Sequence, residues 1–136
     1  MKKKLKIYDA ELSGGLVFYK NELVLLLKKE HNHWEIPGGK VEAKENARKT
    51  LLREIAEEIG VKAKVEKFLG SIDFKIKGKR FLSHVFICRI NKKPKLNEPE
   101  KFYAVGMFPL EKAKRLKLAP NVKEALRVLS EDKWNI

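Results

Sequence analysis

Cysteine is almost absent from this chain of 136 residues, since Cys88 is the single instance. A lone cysteine cannot close an internal disulfide, and it excludes a metal site built from several thiolates. Long hydrophobic runs are also missing: the longest, 23–27, falls far short of the roughly 20 residues that cross a bilayer. The lysine-rich start is not followed by the apolar segment of a secretion signal. We therefore expect a cytoplasmic protein with no membrane partner.

Acidic side chains are few compared with basic ones, 18 against 31, which gives a formal net charge of +13. Such a surface attracts polyanions, including nucleotides and nucleic acids, although lysines spread along the whole chain are also typical of a solubilising coat. The hydrophobic content of 43% indicates a folded globular protein. The length fits one domain, which we predict over 1–136 because no linker or repeat divides the chain.

The hydrophobic pattern predicts strands, one helix, more strands and then helices, an order typical of an α/β (α+β) sandwich with a mixed central sheet. The predicted strands are one or two within 4–20 and others at 23–27, 34–36, 61–76, 80–90 and 102–108. Glycines and a proline at 37–39 are expected to stop the short strand at 34–36. The predicted helices are 47–59, about 110–117, and a last one from 120 onward.

The predicted helix 47–59 carries the clearest chemical pattern. At about 100° per residue, Glu54, Glu57 and Glu58 gather on one part of its surface, centred roughly 120° from the centre of an apolar stripe that includes Leu51 and Ile55. Packing like charges together is unfavourable on an isolated helix, and a hard divalent cation such as Mg²⁺ or Mn²⁺ relieves that repulsion. The alternative interpretation is a solvated acidic patch, because glutamate is a common helix former.

Residues 39–61 resemble the signature of the Nudix hydrolase family. All nine specified positions match: Gly39, Glu45, Arg53, Glu54, Ile55, Glu57, Glu58, Gly60 and Val61. The segment 34–39, which reads Trp-Glu-Ile-Pro-Gly-Gly, is similar to the family's lead-in to that signature. The sequence departs from the family pattern at Lys44, Thr50 and Met107, none of which is a family metal ligand.

The resemblance implies a Nudix-type α/β/α sandwich that hydrolyses a pyrophosphate linkage of a nucleotide derivative with Mg²⁺ or Mn²⁺, by water attack at phosphorus. Among the residues of this chain it implies four metal ligands: Glu54, Glu57, Glu58 and the carbonyl of Gly38. Arg53 would orient a carboxylate. Gly39, Glu45 and Gly60 would anchor the loop–helix structure.

The general base varies within the family and often lies in a late loop. Here the candidates are Glu100 first, then Glu98, with Glu54 on the helix as a further alternative. The competing interpretation of Glu98 and Glu100 is that both are solvated loop charges.

Candidate substrate-binding residues lie outside the signature. Lys28, His31 and His33 could hold phosphate, although a mobile basic loop explains them equally well. Phe74 could stack on a base, and His84 could contact the substrate. Core packing and a hydrogen-bonded core histidine are the competing interpretations of these two residues.

The favoured substrate is a nucleoside or deoxynucleoside triphosphate, cleaved to the monophosphate and pyrophosphate, because residues 97–101 resemble a stretch in triphosphate-cleaving members. ADP-ribose and dinucleoside polyphosphates remain alternatives. An RNA 5′-end pyrophosphohydrolase or a nucleic-acid-binding module is a further alternative that the positive charge keeps open but does not favour. Small family members are often dimers, so the resemblance also leaves a homodimer open.

Overall fold

The computed structural model describes residues 7–132. The ends of the predicted domain, 1–6 and 133–136, and the start of the strand region predicted within 4–20 lie outside the described residues. The described strands are β1 (Ala10–Tyr19), β2 (Glu22–Lys28), β3 (His33–Glu35), β4 (Gly38–Lys40), β5 (Ala63–Ile76), β6 (Lys79–Ile90) and β7 (Phe102–Phe108). The described helices are α1 (Ala47–Ile59), α2 (Leu110–Ala113) and α3 (Pro120–Glu131).

The strands form one mixed sheet in the order β3-β2-β1-β6-β5, in which β4 also pairs with β1 and β7 with β2. Strands β1 and β6 run parallel, and the other pairs are antiparallel. β1 and β2 pair only beside their connecting turn, at Phe18–Leu23 and Tyr19–Glu22. Farther from that turn β1 pairs with β4 and β2 pairs with β3, so the sheet splits there and the β3–β4 segment fills the split.

Hydrophobic cores lie on both faces of the sheet, because successive side chains of a strand point to opposite faces. Leu16 and Phe18 pack on the face that α3 covers with Val122 and Leu126. Val17 packs on the opposite face, which α1 covers with a set of fully buried side chains: Leu51, Ile55 and Ile59. The predicted α/β/α sandwich with a mixed sheet is therefore confirmed.

Helix α1 has the bounds that the sequence predicts, and its ends explain why. The Asn46 side chain accepts a hydrogen bond from the Lys49 N–H at 2.8 Å and caps the start of the helix. Gly60 adopts a left-handed conformation with φ 70°, and its N–H bonds to the Ala56 carbonyl and ends the helix.

The structure has one strand that the sequence does not predict, and one helix prediction is wrong in extent. The glycine pair at 38–39 does not simply end a strand, because Gly38–Lys40 forms the separate strand β4 against β1. The helix predicted at 110–117 ends at Ala113. Residues 114–116 form turns, and the residues after them bond to β3: the Trp34 N–H donates to the Lys117 carbonyl, and the Ala119 N–H donates to the Trp34 carbonyl. Among residues 7–132, no helix is long and apolar enough to cross a membrane.

Candidate functional site

Strand β4 brings the backbone of the signature loop against α1. Gly38 has φ +155°, and a Cβ at this residue would overlap the Ser13 carbonyl oxygen. A Cβ on Gly39 would lie 2.5 Å from Oε2 of Glu54, closer than real side chains allow. Glycine at both positions therefore permits β4 to approach β1 on one side and the Glu54 carboxylate on the other.

Arg53 holds three of the signature carboxylates. Its Nε and Nη2 donate to the two oxygens of Glu45 at 2.9 and 3.0 Å, a bidentate pair. Its Nη1 lies 3.3 Å from both Glu54 Oε2 and Glu57 Oε1. The Thr50 hydroxyl also donates to Glu45, at 2.7 Å. Hydrogen bonds from Arg53 and Thr50 lower the pKa of Glu45 to about 2, and the bond to Glu45 raises the pKa of Arg53.

Glu58 is the buried carboxyl group of the site, with only 6% of the residue exposed. Its Oε1 accepts a hydrogen bond from the Gly38 N–H at 3.0 Å. Burial raises its pKa to about 9, and the nearby charges of Glu54 and Glu98 act in the same direction. Burial also raises the pKa of Glu54, although the charge of Arg53 opposes that shift. Removing the repulsion among these carboxylates requires protons or a cation.

The loop between β6 and β7 adds a fourth carboxylate, that of Glu98. Asn97 fixes the loop on the end of α1, because its N–H bonds to the Glu58 carbonyl and its side-chain amide donates to the Glu57 carbonyl at 2.9 Å. Oε1 of Glu98 is buried and has no hydrogen-bond partner among the described residues. It forms an ion pair with Lys101, whose Nζ lies 3.7 Å away.

Glu100, which the sequence places first as general base, is exposed on the same loop. No hydrogen bond or ion pair of its side chain is found within residues 7–132. The structure therefore brings Glu98, and not Glu100, into the electrostatic neighbourhood of Glu58.

The donor chemistry of this cluster fits a hard divalent cation. Within the described part of the chain, no three His, Cys, Asp or Glu side chains converge closely enough to hold a metal ion as they stand. Their oxygens are engaged elsewhere, since Arg53 binds Glu54 and Glu57, and Gly38 binds Glu58. Two features nevertheless fit a cation: the buried oxygen of Glu98, which accepts no hydrogen bond within the described residues, and the mutual repulsion of the carboxylates.

A cavity of about 390 Å³ lies at the split of the sheet. Its lining residues are Leu12, Lys28, Glu30, His31, Glu35, Phe74, Ile76, Lys77, Lys79, Phe81 and Asn121. The rings of Phe74 and Phe81 are stacked, with centroids 5.4 Å apart. The size and the aromatic wall are typical of a small-molecule pocket.

Three of the predicted substrate-binding residues line this cavity: Lys28, His31 and Phe74. His33 does not line it, but its Nε2 lies 2.7 Å from Oε2 of Glu35, which does. His84 is not part of the lining either. Its Nδ1 lies 2.8 Å from the Ser71 hydroxyl, which agrees with the interpretation of His84 as a hydrogen-bonded histidine.

Sequence reasoning missed Glu35, Phe81 and Asn121 as cavity residues. Phe81 could have been found from the hairpin turn at Gly78, because a two-residue turn places Phe74 opposite Phe81. No local signal marks Glu35 or Asn121, since the packing of β3 and α3 against distant strands brings them to the cavity.

The cavity and the carboxylates are connected through the β1–β4 pair. Leu12 lines the cavity and is the register partner of Lys40. The neighbour of Lys40 is Gly39, which lies against Glu54. Leu12 and Lys40 lie on the face of this pair that α3 covers, whereas Ser13 and Gly39 face α1, so the cavity and the carboxylates meet the β1–β4 pair from opposite faces.

The model of the NUDIX domain matches residues 13–129, and the chain therefore belongs to the Nudix family. A MutT Nudix hydrolase from Burkholderia pseudomallei has the same fold. Its crystal structure superposes with a TM-score of 0.81 at 25% identity, over 88% of this chain and 97% of that one.

Two curated relatives are similar over shorter segments. A CTP pyrophosphohydrolase of Escherichia coli (strain K12) is 38% identical over 53 residues, which are 39% of this chain and 39% of the relative. An 8-oxo-dGTP diphosphatase of Buchnera aphidicola subsp. Schizaphis graminum is 33% identical over 64 residues, 44% of this chain and 49% of the relative. The chain thus spans less than half the length of the curated relatives that it matches.

Proposed function

We propose that this protein hydrolyses a pyrophosphate linkage of a nucleotide derivative in a divalent-metal-dependent reaction. The favoured substrate is a nucleoside or deoxynucleoside triphosphate, cleaved to the monophosphate and pyrophosphate by water attack at phosphorus. The observation that carries the proposal is the carboxylate cluster of α1 and the Glu98 loop, in a chain that also has a cavity with an aromatic wall. The names of the Nudix relatives, which include CTP and 8-oxo-dGTP, support a nucleotide substrate.

Glu54, Glu57, Glu58 and the Gly38 carbonyl would hold Mg²⁺ or Mn²⁺. When bound, such an ion neutralises phosphate charge and lowers the pKa of coordinated water. Arg53 keeps Glu54 and Glu57 close to one another before the ion arrives. The Gly38 N–H orients the Glu58 carboxyl group toward β4.

Glu98 is the better supported general base. Its buried oxygen without a hydrogen-bond partner is available to accept a proton from the attacking water, and Lys101 stabilises the charge on the same oxygen. The exposed Glu100, preferred on the sequence alone, then serves as the comparison in mutagenesis, and Glu54 remains the in-helix alternative.

The cavity would hold the nucleoside part of the substrate. A base can stack on the Phe74–Phe81 pair, while Lys28 supplies positive charge and His31 a ring nitrogen for hydrogen bonding in the same cavity. The β1–β4 pair would then carry the phosphates past Lys40 toward Glu54.

A substrate panel tests the proposal directly. Purified protein with millimolar Mg²⁺ is assayed on the common NTPs and dNTPs, ADP-ribose, dinucleoside polyphosphates and a 5′-triphosphorylated RNA. We expect release of pyrophosphate and monophosphate from at least one triphosphate. No hydrolysis of any of these compounds would refute the proposed reaction, and preferential turnover of another class would identify the substrate as one of the alternatives.

Glu57→Gln is the decisive variant of that assay. It preserves the shape of a half-exposed side chain but removes a charge that would bind the cation, so turnover should fall roughly 10²–10³-fold. Glu111→Gln makes the same chemical change on the exposed side of α2 and should retain the wild-type rate. Equal activity of the two variants would show that the side chains of α1 do not carry out the reaction.

A further inference from the structure

Lys101 places a positive charge beside the proposed metal site. Its Nζ lies 3.7 Å from Oε1 of Glu98, the buried oxygen that accepts no hydrogen bond within the described residues. Burial raises the pKa of both Glu54 and Glu58, and the charge of Lys101 opposes both shifts. One ammonium group therefore acts on three carboxyl groups of the cluster.

The backbone of Lys101 is fixed, whereas its ammonium group is free to move. The Lys101 N–H donates to the Glu98 carbonyl at 2.9 Å, and the Lys101 carbonyl accepts a hydrogen bond from the Lys29 N–H at 3.0 Å. The side chain of Lys101 is 59% exposed, and its 3.7 Å separation from Glu98 exceeds the length of a hydrogen bond. The side chain can therefore change its partner without any change in the path of the backbone.

Arg53 also lies in the cluster, but it is held far more firmly than Lys101. Its guanidinium forms a bidentate pair with Glu45 and contacts two further carboxylates, so its charge stays in place. A divalent cation on the signature glutamates would bring two positive charges close to Lys101, and like charges repel one another. Of the two basic side chains, Lys101 is therefore the one that can give way to a metal ion.

We propose that Lys101 is the resident cation of the metal-free carboxylate cluster and becomes a phosphate-binding residue once a divalent cation occupies the site. In the metal-free protein its charge offsets that of Glu98. In the metal-bound protein its ammonium group turns to the phosphates of the substrate, which bring negative charge to the same place. The inference rests on the proposed function, because it assumes a metal-dependent reaction at this cluster.

Three measurements test this role without depending on turnover. They are the urea midpoint in EDTA, the affinity for Mn²⁺ alone, and the affinity of the Mn²⁺-saturated protein for inorganic pyrophosphate, both affinities by calorimetry. Lys101→Met keeps much of the apolar stem but removes the charge, so the urea midpoint should fall. Mn²⁺ should bind at least about threefold more tightly, because a repelling charge is gone. Pyrophosphate should bind about tenfold more weakly, because a charged hydrogen-bond donor is lost.

Two further variants serve as controls. Lys114→Met is matched to Lys101→Met, because Nζ of Lys114 also lies 3.7 Å from a glutamate three residues earlier, Glu111 on α2. It should keep the wild-type affinities for Mn²⁺ and pyrophosphate, and its urea midpoint should fall less. Lys101→Arg retains the positive charge, so both of its affinities should lie much closer to those of the wild type than to those of Lys101→Met.

The opposite signs of the two affinity changes are the decisive result. If Lys101 only supported the structure of its loop, Lys101→Met would weaken Mn²⁺ and pyrophosphate binding together, which would overturn the inference. An unchanged affinity for either ligand, or a urea midpoint that falls no more than in Lys114→Met, would also overturn it. Absence of turnover by the wild type would refute the proposed hydrolysis alone, because the three measurements would still report on Lys101. Failure of the wild type to bind Mn²⁺ would refute both.

Discussion

Arg53 is the side chain on which the arrangement of the signature carboxylates depends. Its planar guanidinium reaches Glu45 with two nitrogens and Glu54 and Glu57 with a third. Lysine has one compact ammonium group and cannot reproduce this fork. The residue therefore organises the site through its shape as well as its charge.

Arg53→Lys should reduce the proposed hydrolysis by roughly 10–100-fold, the range typical of residues that orient metal ligands. The measurement is kcat and the Mg²⁺ concentration for half-maximal activity. Arg127→Lys is a matched control, because Arg127 also contacts two glutamates, Glu124 and Glu131, but on the exposed surface of α3. Equal losses in the two variants would contradict an organising role for Arg53.

Glu58 links the stability of the metal-free protein to pH. Its pKa is raised from the ordinary 4.5 to about 9, so the folded state holds a proton that the unfolded state releases between these values. The free energy of unfolding should therefore fall as the pH rises through this window. Urea unfolding with EDTA at pH 6 and pH 8.5 measures the fall.

Glu58→Gln isolates that contribution from those of other titrating groups. The amide cannot ionise, so the variant should lose less stability than the wild type between pH 6 and pH 8.5. An identical pH dependence in the two proteins would show that Glu58 is not protonated in the metal-free fold.

Strand β4 illustrates how an element can depend on two glycines. Gly38→Ala combines a positive φ with overlap against the Ser13 backbone, which cannot move as a side chain can. We expect the variant to lose at least about 1–3 kcal/mol of unfolding free energy, the usual range for a strained backbone. Chemical denaturation in the metal-free state measures the loss.

Gly78→Ala is the control for Gly38→Ala. Gly78 also has a positive φ, 81°, but a Cβ there meets no atom within 4 Å. Its destabilisation reports backbone strain alone, so Gly38→Ala should be clearly the more destabilising. A similar loss in both would show that the overlap with β1 relaxes easily.

The elements differ in how far the sequence predicts them. Helix α1 is predictable to the residue, because its cap at Asn46, its apolar spacing and its end at Gly60 are all local signals. Strand β4 is not, because a glycine pair after proline is typical of a turn, and only pairing with β1 makes it a strand. The end of α2 at Ala113 is not predictable for the same reason, since the backbone of Trp34, which is distant in sequence, binds the residues that follow the helix.

The site residues also differ in this way: some follow from local sequence signals, and others depend on tertiary contacts. The cluster of Glu54, Glu57 and Glu58 follows from helical periodicity, which is a short-range property. The position of Glu98 beside Glu58 and the lining of the cavity depend on contacts between segments far apart in the sequence. Helical periodicity places Glu58, seven residues after Leu51, at the edge of the apolar stripe, and the contact with the Gly38 N–H of β4 is the tertiary part of its burial.

For the molecule as a whole, binding of a divalent cation should raise the melting temperature. Ligands that bind only the native state stabilise it by mass action, by about 2.7 kcal/mol at 100 times the dissociation constant. The proposed site adds relief of carboxylate repulsion, so millimolar Mg²⁺ or Mn²⁺ should shift thermal unfolding upward. Calorimetry with and without EDTA checks the shift.

Glu57→Gln and Glu58→Gln should each show a smaller metal-induced shift than the wild type. Glu111→Gln should show the full shift, because it lies on α2. An unchanged melting temperature of the wild type at millimolar Mg²⁺ and Mn²⁺ would contradict the proposed metal site.

The split in the sheet has a consequence for the regiochemistry of the proposed reaction. Leu12 lines the cavity, its partner Lys40 is on β4, and the adjacent Gly39 touches Glu54. A base bound in the cavity and a phosphorus attacked beside Glu54 would thus be separated by a fixed length that the β1–β4 pair sets. Sliding β4 by one residue would change that length by about 3.3 Å, comparable to the step between neighbouring phosphorus atoms. The strand pair would then act as a ruler that decides which bond of the polyphosphate chain is cut.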